Sequence, residues 1–229
     1  MAATSHRPGW RVWAAAVLLV TYVGCGGSDP LPSTQPTRQQ TAEPAQGDAA
    51  QELPLGSSIA LEPGRYTFSD FEPTVTFGVP DGWETGHQNE DFFDVWHSSP
   101  GEEPPVEAAV AWARPAFIVG NDGRVTTDGL SPPEAVETLS SNPYVTAGPI
   151  SDVTLDGYEG SSVSFDARPG GELFGGPDGA FGSDNAHFRV AALDVGGALI
   201  LVLEISLRQP HEAHLQLTEG VWRTSTLTP

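Results

Sequence analysis

The 229-residue chain has one cysteine and no lysine, its ten basic residues all being arginine. A single cysteine excludes an internal disulfide and any metal site built from cysteine pairs. Without lysine no Walker phosphate loop can be written, and the glycine-rich run 168–185 lacks the strand-to-helix context of a dinucleotide fingerprint. No Gly-x-Ser-x-Gly elbow occurs; Gly160-Ser161-Ser162 falls inside a strand pattern. Positive charge is scarce, with ten arginines against 30 acids and a formal charge of −20. A polyanion of this size does not neutralise phosphates, which argues against nucleic acid as a partner, and anionic lipid repels it.

A membrane-spanning run is lacking too. Val12 to Val20 (VWAAAVLLV), continued to Gly24, is shorter than the ~20 apolar residues that cross a bilayer. With Arg7 and Arg11 before it, this stretch has the parts of an export signal. It ends in Tyr22-Val23-Gly24-Cys25, which resembles a bacterial lipoprotein signal: a small residue stands just before a cysteine that becomes acylated and N-terminal. Tyr22 departs from the usual Leu. Removing residues 1–24 takes Arg7 and Arg11 and no acid, moving the formal charge from −20 to −22. Each buried acyl methylene contributes about 0.8 kcal/mol and two chains give stable anchoring, so a diacylated Cys25 would hold without protein–lipid contact.

Residues 25–55 read as that cysteine followed by a tether. Pro30, Pro32, Pro36, Pro44 and Pro54 stiffen it, and no aromatic or β-branched apolar residue interrupts it. Residues 56–229 then form one domain by size. Strands are expected at Arg65–Phe68, Pro73–Pro80, Asp91–His97 and Val106–Val119, the last broken at Pro115. Ser131-Pro132-Pro133-Glu134 opens a helix with a capping box. Strand pattern resumes at Val153–Leu155 and Tyr158–Phe165, around Asp156-Gly157. Arg168–Asn185 reads as a long loop. His187–Val195 and Ala198–Leu207 form a hairpin around Gly196-Gly197, whose second strand (ALILVLEISL) is apolar enough to be buried on both faces. A helix over Pro210–Trp222 and a strand over Thr224–Leu227 close the chain. The fold class is α+β, a mainly antiparallel sheet covered by helices.

The order of these signals is similar to that in actinobacterial lipoproteins of the LpqN type. The carrying stretches are the lipobox and tether, "VTFGVPDGW", "SPPEAVETL" before "SNPYVTAGP", "VTLDGYEGSSVSF" and "FRVAALDVGGALILVLEI", covering roughly 70–229. The resemblance implies a PsbP-like domain, an α/β/α sandwich around a twisted antiparallel sheet, and a non-catalytic envelope module that binds a partner or ligand. Members of that group often carry a cysteine near the long loop; this chain has none.

Several constellations bear on chemistry. His211 and His214 stand at i,i+3 on one helix face, near enough to share a metal, but no third ligand is identifiable and the spacing is not that of a zincin. An exposed helix start, with Glu212 favourable at the positive helix end, accounts for them; the alternative is a metal-dependent extracytoplasmic hydrolase. Asp178, Asp184 and Asn185 have calcium-ligand chemistry without EF-hand spacing, and turn formation explains them as well. His87 and His97 flank an acidic strand, an arrangement that admits one site shared by the two. Trp83, Trp96, Trp112 and Trp222 are core candidates. Phe92, Asp94 and Trp96 share one strand face and would line a ligand pocket or partner surface if exposed. The expectation is a monomer without metal or cofactor. It would sit on the extracytoplasmic face of the cell membrane, meet the membrane through Cys25, and bind an envelope protein or small ligand.

Overall fold

The computed structural model describes residues 49–98, 106–177, 179–182, 185–207, 209 and 211–229. The signal, Cys25, nearly all of the tether, and Asp178 and Asp184 lie outside them. In chain order the strands are β1 (Gln51–Glu52), β2 (Ala60–Leu61), β3 (Gly64–Phe68), β4 (Thr74–Val79), β5 (Trp83–Asn89), β6 (Phe92–Ser98), β7 (Val106–Ala113), β8 (Phe117–Gly120) and β9 (Gly123–Thr126). Helix α1 (Pro132–Ser140) follows, then β10 (Val145–Ala147), β11 (Ser151–Leu155), β12 (Tyr158–Ala167), β13 (Phe174–Gly176), β14 (Gly179–Phe181), β15 (His187–Val195) and β16 (Ala198–Ser206). Helix α2 (His211–Arg223) and β17 (Thr226–Thr228) end the chain.

The large sheet has the order β10-β12-β15-β16-β7-β6-β5-β2, with β11 on β12, and its pairings are antiparallel. The β15–β16 hairpin turns at Gly196 and Gly197, whose φ of +64° and +88° suit the primed turn of a two-residue loop. Asp156 and Gly157, at φ +51° and +82°, do the same between β11 and β12. Two smaller sheets flank this one, β1-β3-β4-β17 and β14-β13-β8-β9.

Period-two alternation divides the large sheet into two faces. Ala109, Ala111, Val163, Phe165, Phe188 and Leu203 point to one, where α1 packs with Ala135, Val136 and Leu139, together with Ile118 of β8 and Phe174 of β13. Val110, Trp112, Leu193 and Val202 point to the other, under Val75 and Phe77 of β4 and Val221 of α2. Strand β16, central and buried on both faces, separates these cores, as its unbroken apolar run implies. The expected α+β class holds. Each covering layer is a helix together with a small sheet rather than helices alone.

Helix α1 starts where the sequence indicates. At α1 the Glu134 carboxylate accepts from the backbone N–H of Ser131 at 2.9 Å and from its hydroxyl at 2.6 Å. These bonds hold the Glu134 pKa below its usual value. The expected break of the fourth strand near Pro115 is also present, between the end of β7 at Ala113 and the start of β8 at Phe117.

Two readings change. Arg168–Asn185 is not simply a loop: it carries β13 and β14, which join the β8–β9 hairpin into a sheet. Three-residue strands of Gly, Ala and Phe are too short to alternate visibly. Their identity is set by packing, since a Cβ on Gly175 would lie 2.4 Å from the Gly179 carbonyl and 2.7 Å from the Phe117 ring. Residues assigned to the tether also enter the fold. Glu52 and Gln51 pair in parallel with β3, and Leu53 is fully buried.

Candidate functional site

Strand β6 places Phe92, Asp94 and Trp96 on one face, as the alternation predicts, but not as an open surface. Asp94 is buried, Phe92 and Trp96 are half-buried, and Phe92 packs on Phe181 with ring centroids 5.4 Å apart. The exposed side chain is His87, across the strand pair. Thr85 pairs with Val95 and Gln88 with Phe93, so Gly86 and His87 together oppose Asp94 in a β-bulge. Gly86 makes this possible, because a Cβ there would stand 1.8 Å from Asp94 Oδ1 and 2.6 Å from Trp96 Nε1.

The bulge aims the backbone N–H of His87 at Asp94 Oδ1, 2.5 Å away, and sets His87 Nδ1 3.7 Å from Asp94 Oδ2. The Trp96 ring meets the imidazole edge-on at 5.4 Å. The Asp94 carboxylate, through hydrogen bonding and charge, raises the His87 pKa against an opposing effect of partial burial. His97 does not pair with His87. Its Nδ1 lies 3.5 Å from the Glu107 carboxylate, and its ring packs edge-on against Trp83.

Beside His87 runs an open groove of about 900 Å³, within the range of small-ligand sites. Leu55, Ser57, Asp70, His87, Asn89 and Glu90 line it, and Leu55 is 69% exposed. Its outer wall is the loop before β2, in which Ser58 adopts φ +59°, a left-handed conformation unfavourable for a residue with a Cβ. Two β5 side chains hold it there. Buried Thr85 donates its hydroxyl to the Gly56 carbonyl at 2.6 Å and accepts from Ile59 N–H at 3.0 Å. The Gln88 amide donates to the Pro54 carbonyl and accepts from Gly56 N–H, each at 3.0 Å. Strain held by surrounding bonds in this way is characteristic of preformed sites.

A second polar cluster lies beneath α2. His211 and His214 turn inward, each placing Nδ1 near the Ser206 hydroxyl, at 2.9 and 3.1 Å. The expected exposed helix start is therefore corrected: these imidazoles contact the sheet. His211 also stacks on His187 at 5.2 Å, and His187 Nδ1 lies 2.8 Å from Asp166 Oδ1. Next along the sheet, fully buried Glu204 pairs with Arg189 and accepts from the Thr218 hydroxyl at 2.8 Å. The Arg189 guanidinium lies over the Trp222 ring at 5.9 Å, and its pKa is raised, chiefly by Glu204. Among the described residues no three His, Cys, Asp or Glu side chains converge as metal ligands. Ser206 is itself fully buried, so its hydroxyl serves the helix–sheet contact.

Sequence reasoning did not single out Glu204 or Arg189. The signal was present, since one acid interrupts ALILVLEISL and one base interrupts the facing FRVAALDV. Trp83 and Trp112 are core, Trp112 stacking on Phe93 at 4.6 Å, while Trp96 and Trp222 are half-buried. Of the calcium-type set only Asn185 is described; it takes φ +59°, as turn-forming Asn does.

No family model matches the chain, and no curated protein sequence does. Solved structures similar to it include LpqN of Mycobacterium tuberculosis, involved in cell envelope biogenesis, at 13% identity and a TM-score of 0.42, covering 72% of this chain and 91% of that one. The cyanobacterial PsbP of Synechocystis matches at 14% identity and a TM-score of 0.39, over 76% of this chain and 98% of its own. A Bacteroides thetaiotaomicron protein matches at 10% and 0.39, over 68% of this chain, which spans 45% of that protein's length. Scores this low assign neither family nor activity.

Proposed function

We propose that this chain is a lipid-anchored protein of the bacterial cell envelope, of the LpqN type. Its PsbP-like, α/β/α-related domain would act as a monomeric, non-catalytic binding or adapter module on the extracytoplasmic side. The observation that carries the binding role is the groove beside His87, bordered by a strained loop that Thr85 and Gln88 fix to β5. The anchoring role rests on Gly24-Cys25 after an apolar run and on the Pro-rich stretch that follows. Among the described residues no helix is long and apolar enough to cross a membrane.

The anchoring test is fractionation of cells expressing the full chain. Wild type is expected in the membrane fraction, and Cys25→Ala in the soluble fraction. Membrane association that survives the substitution removes the lipid anchor from the reading. For the binding role, groove amides (Leu55–Ser57 and Gly86–Glu90) should slow their hydrogen exchange when envelope extract is added to the full-length protein. Unchanged exchange there would overturn it.

A further inference from the structure

The groove is bordered by an incompletely paired sheet edge. Strand β2 covers β5 only at Trp83 and Glu84, and Thr85 is bonded to the backbone of Ser58 and Ile59. From Gly86 to Asn89 the outer side of β5 has no strand pairing among the described residues; the His87 N–H is taken by Asp94 Oδ1, and the chain at 54–57 reaches β5 there through the Gln88 side chain. The bulge at Gly86–His87 explains the separation, because a bulge bends its strand and increases its twist.

Gln88 shows the spacing of that gap. Its side-chain amide, the same functional group as a peptide unit, donates to one backbone carbonyl and accepts from a backbone N–H two residues on. The Gln88 amide thus fills the place of a peptide unit, and a segment entering the gap would displace it from the Pro54 carbonyl and the Gly56 N–H. Its charge has one sign: Asp70 and Glu90 are exposed carboxylates on the lining, and the single basic lining side chain, His87, is paired to Asp94. Leu55, the most exposed large apolar residue described, stands at the lip. A displaceable side-chain amide, carboxylates and an apolar contact match an extended peptide carrying alternating basic and apolar side chains.

We propose that the groove along Gly86–Asn89 binds a basic, extended polypeptide segment of a partner protein, which adds to the edge of β5 with its cationic side chains against Asp70 and Glu90. This rests on the reading of the groove as the binding site and names the class of its ligand.

The test uses the full-length lipidated protein in detergent and three synthetic decapeptides: alternating Arg-Val, alternating Glu-Val, and the Arg-Val peptide with N-methylated backbone. Saturable binding of the first is expected, weakened at least tenfold in the Asp70→Asn/Glu90→Gln variant and by raised salt, with slowed exchange at Gly86–Asn89. The Glu-Val and N-methylated peptides should bind at least tenfold more weakly. Both substituted side chains are exposed, so the variant should keep the wild-type unfolding midpoint. Equal binding of the N-methylated peptide would overturn strand addition, and binding unaffected by the double substitution would overturn the charge match. If the Arg-Val peptide fails to bind while envelope extract still protects the groove, this inference falls and the binding-module reading stands. If neither protects it, both fall.

Discussion

Helices α1 and α2 cover opposite faces of the same sheet by opposite means. Helix α1 buries Ala135, Val136 and Leu139 against Val163, Phe165 and Phe188. Helix α2 is four residues longer, yet its buried residues are Thr218 and Val221. Over its first two turns it rests on Ser206 and Glu204 through His211, His214 and Thr218. The α1 contact is non-directional and insensitive to pH. The α2 contact depends on each polar group keeping its partner, because a buried group left unpaired costs its full desolvation. The stability of α2 therefore resides in a few side chains, that of α1 in an area.

The largest effect should come from Arg189→Ala. It leaves the fully buried Glu204 carboxylate with Thr218 as its remaining partner; breaking a fully buried pair costs about 3–5 kcal/mol, and the 36% exposure of the Arg189 side chain puts this one toward the lower end. The double variant Arg189→Met/Glu204→Leu should recover most of that loss, because hydrophobic replacement of a buried pair is often neutral. Denaturant unfolding of the two variants decides it; a single variant as stable as wild type would show that the pair contributes nothing. On the other face, Leu139→Ala should cost about 3 kcal/mol at any pH, through lost burial and a residual cavity. A pH-dependent loss there would break the contrast between the helices.

A smaller effect is expected from Ser206→Ala, which removes the hydroxyl near both helix imidazoles. The cost should be about 1–2 kcal/mol. Native-state hydrogen exchange should show the loss confined to α2, with faster exchange at His211–Thr218 and unchanged protection in α1. Equal acceleration in both helices would mean that the two faces unfold as one unit and that the polar attachment has no separate stability.

The same contrast explains what was legible in the sequence. The α1 cap, its apolar stripe, the Asp156-Gly157 and Gly196-Gly197 turns and the twice-buried β16 all rest on local patterns, and each is found. The inward turn of His211 and His214 depends on Ser206 from the preceding strand, and the Glu204–Arg189 pair joins two strands across the sheet. Strands β13 and β14 exist because Gly175 can approach Gly179 and Phe117 closely, which no periodicity reports. The candidate face at Phe92, Asp94 and Trp96 was correct in alternation but not in exposure. The bulge opposite Asp94 brought His87 outward and took the carboxylate in. A single-residue insertion in one strand leaves no mark on the apolar pattern of the other.

The smallest effect sharpens the comparison, because it places a titrating contact at the margin of the α1-bearing face. The pKa of His87 is raised above the ordinary imidazole value of about 6.5 by Asp94. A raised folded-state pKa means that protonated His87 stabilises the fold fully below the unfolded value, and the contribution disappears as pH rises through the folded value. Asp94→Asn keeps an oxygen for the His87 N–H but removes the charge. In the variant the imidazole titration, followed by NMR, should move down toward 6.5. The stability difference between wild type and variant should narrow as pH rises from just below 6.5 through the wild-type midpoint, and change little beyond. His87 is largely exposed, so solvent screens the pair and the narrowing should be slight. A titration midpoint that Asp94→Asn leaves in place would show that the carboxylate does not act on His87. The bulge would then be a matter of strand shape, without electrostatic consequence at the groove.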